Sequence, residues 1–383
     1  MGKRELLLVA AFVVIGTLVY QATKPAGDPN RRGWSFGGIV EQIRREVRGN
    51  QARTELTKTD LVPAPATLRE VKIERYPSEV VVIGEDRSDI AIELKVESRA
   101  YDDAEAKRTA SETKVIVDEA GEMLRLSMFY PPEGRQTATL MLRLPKRLAL
   151  RLDDKGGRLT VSQIAAVTVG GAGRGETVIA DIAGEVHVNQ RGSAITIANV
   201  GSLRLTTVSA GEVKISGVKG DATMNFTGGE VRIEKIAGAV EIDSRNSELR
   251  IDHIDDLRGP LRIRDVGSEI DVTGVRCEAR IDGRESEIRV VQGAAAPLAI
   301  YNDNDGSDAI DVTLADGGLK IDVAANRGRI TLDDTLAAAG LKVQASEDKE
   351  DKSDDQRLEG TIGQGGPLLT LRAVRGHIQL RKK

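Results

Sequence analysis

The sequence predicts an all-β chain: a β-solenoid of roughly 18-residue turns, preceded by an N-terminal transmembrane helix. Three observations predict it. Residues of the same class return every eighteen positions through the middle of the chain. Within each repeat, apolar and polar residues alternate with the two-residue period of a strand. A charge-free apolar run stands at the N-terminus.

That run, Leu6 to Tyr20, follows Lys3 and Arg4. It is long for the apolar core of a signal peptide and short for a spanning helix. No A-x-A cleavage site follows it, so residues 1–23 read as an uncleaved signal anchor, with a cleaved signal as the alternative. Lys24, Arg31 and Arg32 lie beyond the run, so basic residues do not set its orientation decisively. Large C-terminal domains cross regardless of such charges, which places the rest of a single-pass membrane protein outside the cytoplasmic membrane.

Residues 24–65 read as a linker with a short amphipathic helix, in which Ile39, Ile43 and Val47 recur at i, i+4 and i+8, away from Arg44, Arg45 and Arg48. The helix suits either a membrane surface or the open end of a β-array. Pro63 and Pro65 close the linker.

From residue 66 to 383 the period becomes two. Val80 and Val82, then Ile90, Ile92 and Leu94, then Leu124, Leu126 and Met128 mark strands, with a helical interruption at Asp102 to Ser111. Arg158, Glu176, Ala194, Glu212, Glu230 and Glu248 phase the repeat. Glu269 follows after a three-residue insertion around Asp255 to Leu257, and Glu287 after eighteen more.

In the turn opening at Glu230, Val231 and Ile233, then Val240 and Ile242, point to one side while Arg232 and Glu241 point to water. Gly238 lets the chain turn a corner. Eighteen residues have a contour of about 60 Å, enough to circle a narrow core once. One turn buries too little to stand alone, so the turns must stack, with parallel strands between them. The competing arrangement is a meander of antiparallel hairpins. Beyond Glu287 the register loosens. The charged run Glu347 to Gln356 reads as a loop, and PLLTLRAVRGHIQL as the last turn or cap.

Composition excludes some partners. With 30% charged residues and a net charge of -4, charge is interspersed rather than gathered on a basic face, which argues against nucleic acid. Aromatic residues make up 3%, too few for a stacking platform.

Candidate chemistry is sparse. Asp303, Asp305, Asp308 and Asp311 are oxygen ligands of the kind Ca²⁺ takes. Counting back from Gly306, however, Tyr301 falls on the first ligand place of an EF-hand loop, so the segment reads as a solvated turn. His187, His253 and His377 lack metalloprotease spacing and read as outward or corner residues; His253 lies beside Asp252 and Asp255. The lone Cys277 takes the place of Gly238 in its repeat and reads as a small corner residue. There is no G-x-S-x-G motif. No catalytic, cofactor-binding or metal-binding residue is expected.

SEVVVIGEDRSDIAIEL, then a helical interruption followed by ETKVIVDEAGEMLRLSM, the repeats from Arg158, and the closing GGPLLTLRAVRGHIQL make the chain resemble the bacterial putative adhesin domain family. The resemblance runs from about Leu68 to Lys383 and implies an exported β-solenoid without catalytic residues to carry over. The expectation is a non-enzymatic, membrane-anchored envelope scaffold or adhesin-like interaction domain, meeting a protein or glycan surface of the envelope. Alternatives are a self-assembling polymer scaffold and a glycan-active β-helix enzyme.

Overall fold

Alternation in the sequence becomes alternation of burial. In the strand Glu79–Glu85, Val80 and Val82 are fully buried while Glu79, Val81 and Ile83 are not. The computed structural model describes residues 52–383, apart from 155, 172–174, 193, 210, 255, 305–308, 346–354 and the side chain of Arg75. The expected N-terminal span and the amphipathic helix lie outside the described residues. Among the described residues, no helix is long and apolar enough to cross a membrane.

The chain is all-β, and its middle is built from parallel pairing between successive turns. Each turn gives one strand segment to a first ladder and one to a second. In the first ladder Ala222 pairs with Val240 and Val240 with Leu261. In the second, Val213 pairs with Val231, Val231 with Leu249, and Leu249 with Ile270. The last step absorbs the three-residue insertion, because one strand ends at Asp252 and the next begins only at Leu261. The antiparallel meander is thus absent from the described repeats. Inward-facing Val231, Ile233, Ile236, Val240 and Ile242 join one continuous apolar core.

The corners differ from the expectation in one respect. Most left-handed positions of one corner are held by non-glycine residues: Gln163, Asp181, Asn199, Lys235 and His253 have φ between 53° and 60°, with Gly217 taking the place between Asn199 and Lys235. Asn199 Nδ2 donates to Asp181 Oδ1 at 3.0 Å, the kind of local bond that makes Asn and Asp tolerant of this conformation. Gly238 serves close approach instead. A Cβ there would fall 2.3 Å from the carbonyl carbon of Gly220 in the adjacent turn.

The ends depart from sequence order. Glu70–Arg75 lies between Met123–Phe129 and Ala149–Leu152, and Glu79–Glu85 lies between Arg135–Pro145 and Arg158–Ser162. The first turn of the chain is therefore interior. Antiparallel strands continue outward from it: Lys114–Ala120 on Met123–Phe129, Asp89–Ala100 on Arg135–Pro145, and Ala52–Pro63 on Asp89–Ala100. The expected helix forms at Asp103–Glu112. The carboxylate of Asp102 accepts from Glu105 N at 2.8 Å, and Ala106, Thr109 and Ala110 are buried.

Ala52–Pro63 corrects the linker boundary at 65. Leu56, Leu61 and Val62 are its only large apolar residues, so the alternation is masked. A strand at the edge of a sheet needs fewer of them than one in the core.

The C-terminal end mirrors this device. Leu368–Val374 lies between Leu298–Asp303 and Leu319–Asn326, and His377–Lys382 between Ala309–Leu314 and Arg329–Leu332. The closing segment is therefore an interior turn, not the last one. Antiparallel Gln356–Ile362 covers Leu319–Asn326, and Gln344–Ala345 adds a short strand outside it. A second, unexpected helix spans Asp334–Ala338. Asp333 caps it by accepting from Leu336 N and also accepts from Lys382 N at 2.7 Å.

Candidate functional site

Outward positions of the second ladder form columns. Glu212, Glu230, Glu248, Glu269 and Glu287 stand in register, each about 4.8 Å from the next strand. Like charges so placed repel. Lys214, Arg232, Arg250, Asp271 and Arg289 occupy the neighbouring column, whose four basic side chains oppose the repulsion. Lys214 Nζ meets Glu212 at 2.8 Å, Arg289 Nη1 meets Glu269 at 3.2 Å, Arg250 reaches Asp271, and Arg232 pairs with Glu230. Exposed pairs of this kind add little stability. They leave a flat, polar, largely self-neutralised face.

A polar cluster forms where the first ladder meets the corner. Ser244, Asp265, Gly283 and Asn302 stack in register, facing inward. The Asp265 carboxylate accepts from Ser268 Oγ at 2.6 Å, Ser286 Oγ at 2.6 Å, Ser268 N at 3.1 Å and the Ser244 hydroxyl. Asn302 Nδ2 donates to Ser286 O at 2.6 Å. Asp265 is 3% exposed and Ser286 fully buried. A buried carboxylate without a counter-cation is costly unless donors surround it, and these four donors do so. The three hydroxyls are spent on the carboxylate, no imidazole is bonded to them among the described residues, and the cluster is closed to solvent. Its geometry is that of an internal tie between turns.

Sequence reasoning missed this cluster although a signal was present. Ser247, Ser268 and Ser286 each stand immediately before the phasing glutamates Glu248, Glu269 and Glu287, at a recurring inward position.

The residues singled out from the sequence are not brought together. Asp303 meets Arg375 Nη2 at 3.5 Å and Asp311 meets Arg381 Nη2 at 3.1 Å, while Asp305 and Asp308 lie outside the described residues. His187 and His377 are half-buried on strands, and His253 is exposed at its left-handed corner. Cys277 is half-buried at a corner against the core, and burial pushes its thiol pKa up.

Two grooves lie at the N-terminal end. One of about 590 Å³ runs over Leu61, Arg87, Glu93, Met141 and Arg143. The other, about 240 Å³, is a slot between Lys58, Ile92 and Leu94 on one side and Lys114, Val115 and Val117 on the other. Lys58 Nζ donates to the carbonyl oxygen of Thr113 at 2.6 Å and to that of Ser111, closing the C-terminus of the first helix. Burial, then the charge of Lys114, hold the Lys58 pKa below its usual range.

No protein family matches the chain, and no curated protein matches it in sequence. Among solved structures it is similar to a putative adhesin from Parabacteroides merdae, at 10% identity over 88% of this chain and 98% of that one, with a TM-score of 0.32. A putative adhesin from Parabacteroides distasonis is 10% identical over 86% and 97%, with a TM-score of 0.27. A putative lipid binding protein from the same organism is 8% identical over 85% and 96%, with a TM-score of 0.28.

Proposed function

We propose that the two parallel ladders wind as a β-solenoid of roughly 18-residue turns, serving as a non-enzymatic scaffold or adhesin-like interaction surface of the bacterial envelope. Residues 1–23 are its signal anchor in the cell membrane, residues 24–51 the linker, and the domain from residue 52 is periplasmic or extracellular. Its partner is a protein or glycan surface of the envelope. One observation carries this reading: the Asp265 cluster, where carboxylate and hydroxyls converge, is closed to solvent, whereas the outward columns pair charge with charge along a flat face.

The test is incubation of the purified chain with isolated envelope glycans and proteins. Retention without cleavage is expected; turnover of any glycan overturns the reading. A phosphatase fused after Lys383 is expected to be active only if that end is exported, so an inactive fusion would reverse the orientation. Stacking of uncapped turns into a polymer finds less support, since antiparallel strands flank the parallel turns at both ends.

A further inference from the structure

Among the described residues, backbone pairing is unfinished along the strand Lys114–Ala120. On one side it pairs antiparallel with Met123–Phe129, and no described strand lies on the other. Edges elsewhere are guarded. Gln344–Ala345 and Arg329–Leu332 are only two and four residues long, and Ala52–Pro63 ends on a proline. Short strands and proline are among the ways sheets avoid pairing with other chains.

Lys114–Ala120 has the sequence KVIVDEA, without proline or glycine. Ile116 is 46% exposed, and Phe129 is exposed on the same face, with the Lys114 ammonium over its ring at 6.0 Å. Val115 and Val117 face the opposite way, into the slot against Ile92 and Leu94. A free edge with this character is a template for strand addition.

We propose that the occupant is a second copy of this chain. Two Lys114–Ala120 strands pair antiparallel about a two-fold axis through Ile116. In that register Lys114 stands opposite Asp118 of the second copy and Asp118 opposite its Lys114, while Val115 faces Val117 and Ile116 faces Ile116. Shifting the axis to Val117 would set Ile116 against Asp118 and Val115 against Glu119, which sacrifices both the charge and the apolar match. Lys114 and Asp118 are exposed, and neither takes part in an ion pair among the described residues. The contact is isologous, so it closes at a dimer and cannot grow into a polymer. It does not depend on the scaffold reading.

The experiment is sedimentation equilibrium of the full chain in detergent, with Lys114→Asp, Asp118→Lys and the double charge swap. A dimer is expected in the parent chain. Each single change should raise its Kd about tenfold or more, and the double swap should restore it to within about threefold. A parent chain that stays monomeric overturns the proposal. So does a dimer that both single variants leave intact, which would place the contact elsewhere, for instance in the anchor. An Ile116→Cys variant gives a second readout: mild oxidation should link two copies through this position, whereas Leu61→Cys, also exposed, should not link. Failure of Ile116→Cys to link in a dimeric chain counts equally against the register.

Discussion

The two ends of the stack solve one problem with unequal thoroughness. Both place a sequence-terminal turn one step inside: Glu70–Arg75 with Glu79–Glu85 at one end, Leu368–Val374 with His377–Lys382 at the other. Both then cover the outermost turn with antiparallel strands. At the C-terminal end the remaining edges are two and four residues long. At the N-terminal end a seven-residue edge has no described strand on its outer side. The difference teaches that sealing the core and sealing the backbone edge are separate tasks. The N-terminal helix does the first through buried Ala106 and Ala110 and leaves the second undone.

Deletions should separate the two ends by the largest effect. Removing residues 366–383 takes out an interior turn, so amide-exchange protection should vanish across residues 298–332. Removing residues 52–63 takes only an outer strand and should leave the turns from residue 123 onward protected. Equal loss in both variants would contradict the interleaved order.

Single side chains sharpen the same contrast. Leu371 is fully buried in the interior C-terminal turn, and Leu371→Ala should cost about 4 kcal/mol in urea unfolding. Leu56 lies half-buried on the outer N-terminal strand, and Leu56→Ala should cost about 1 kcal/mol. Smaller effects are expected at the helices. Asp333→Ala removes a cap and a tie to the final strand and should cost about 1 to 2 kcal/mol. Lys58→Met removes donors to Thr113 and Ser111 and should cost about 1 kcal/mol by the same measurement.

The smallest effect is set by pH. Hydrogen bonds from Lys72, in the inserted first turn, and from Arg151, in the next, hold the Asp153 carboxyl below its usual pKa. A depressed folded-state pKa means that this contribution is present above the ordinary carboxylate range. It is lost as pH falls through the lower folded value. Asp153 is exposed, so screening limits it to a few tenths of a kcal/mol. Lys72→Met should flatten that acid slope, as read from urea midpoints between neutral pH and the acid limb.

Much of the middle was legible. Val213, Val231 and Leu249 repeat at constant spacing because each must occupy the same inward site of a parallel ladder, and the phase of Glu212, Glu230 and Glu248 followed. The ends were not legible, for a physical reason. Alternation tells which face of a strand is buried, not which strand lies beside it, so nothing in LLTLRAV distinguishes a penultimate turn from a final one. Ala52–Pro63 escaped because threonine and charged residues fill most of its positions. The Asp265 cluster escaped because serine is equally at home in a solvated turn, and only its recurrence at 247, 268 and 286 betrays an inward place. Asp303 and Asp311, read together as a loop, instead answer separate arginines of the inserted final turn.

The interleaved ends also govern how such a chain can lengthen through evolution. Tandem duplication of an eighteen-residue unit inserts a new turn without disturbing its neighbours only where sequence neighbours are also spatial neighbours, as from Val213 through Leu249. Copying the terminal segment would instead produce a unit whose place between Leu298–Asp303 and Leu319–Asn326 is already filled. Relatives of different length should therefore vary in their middles and keep the same two ends.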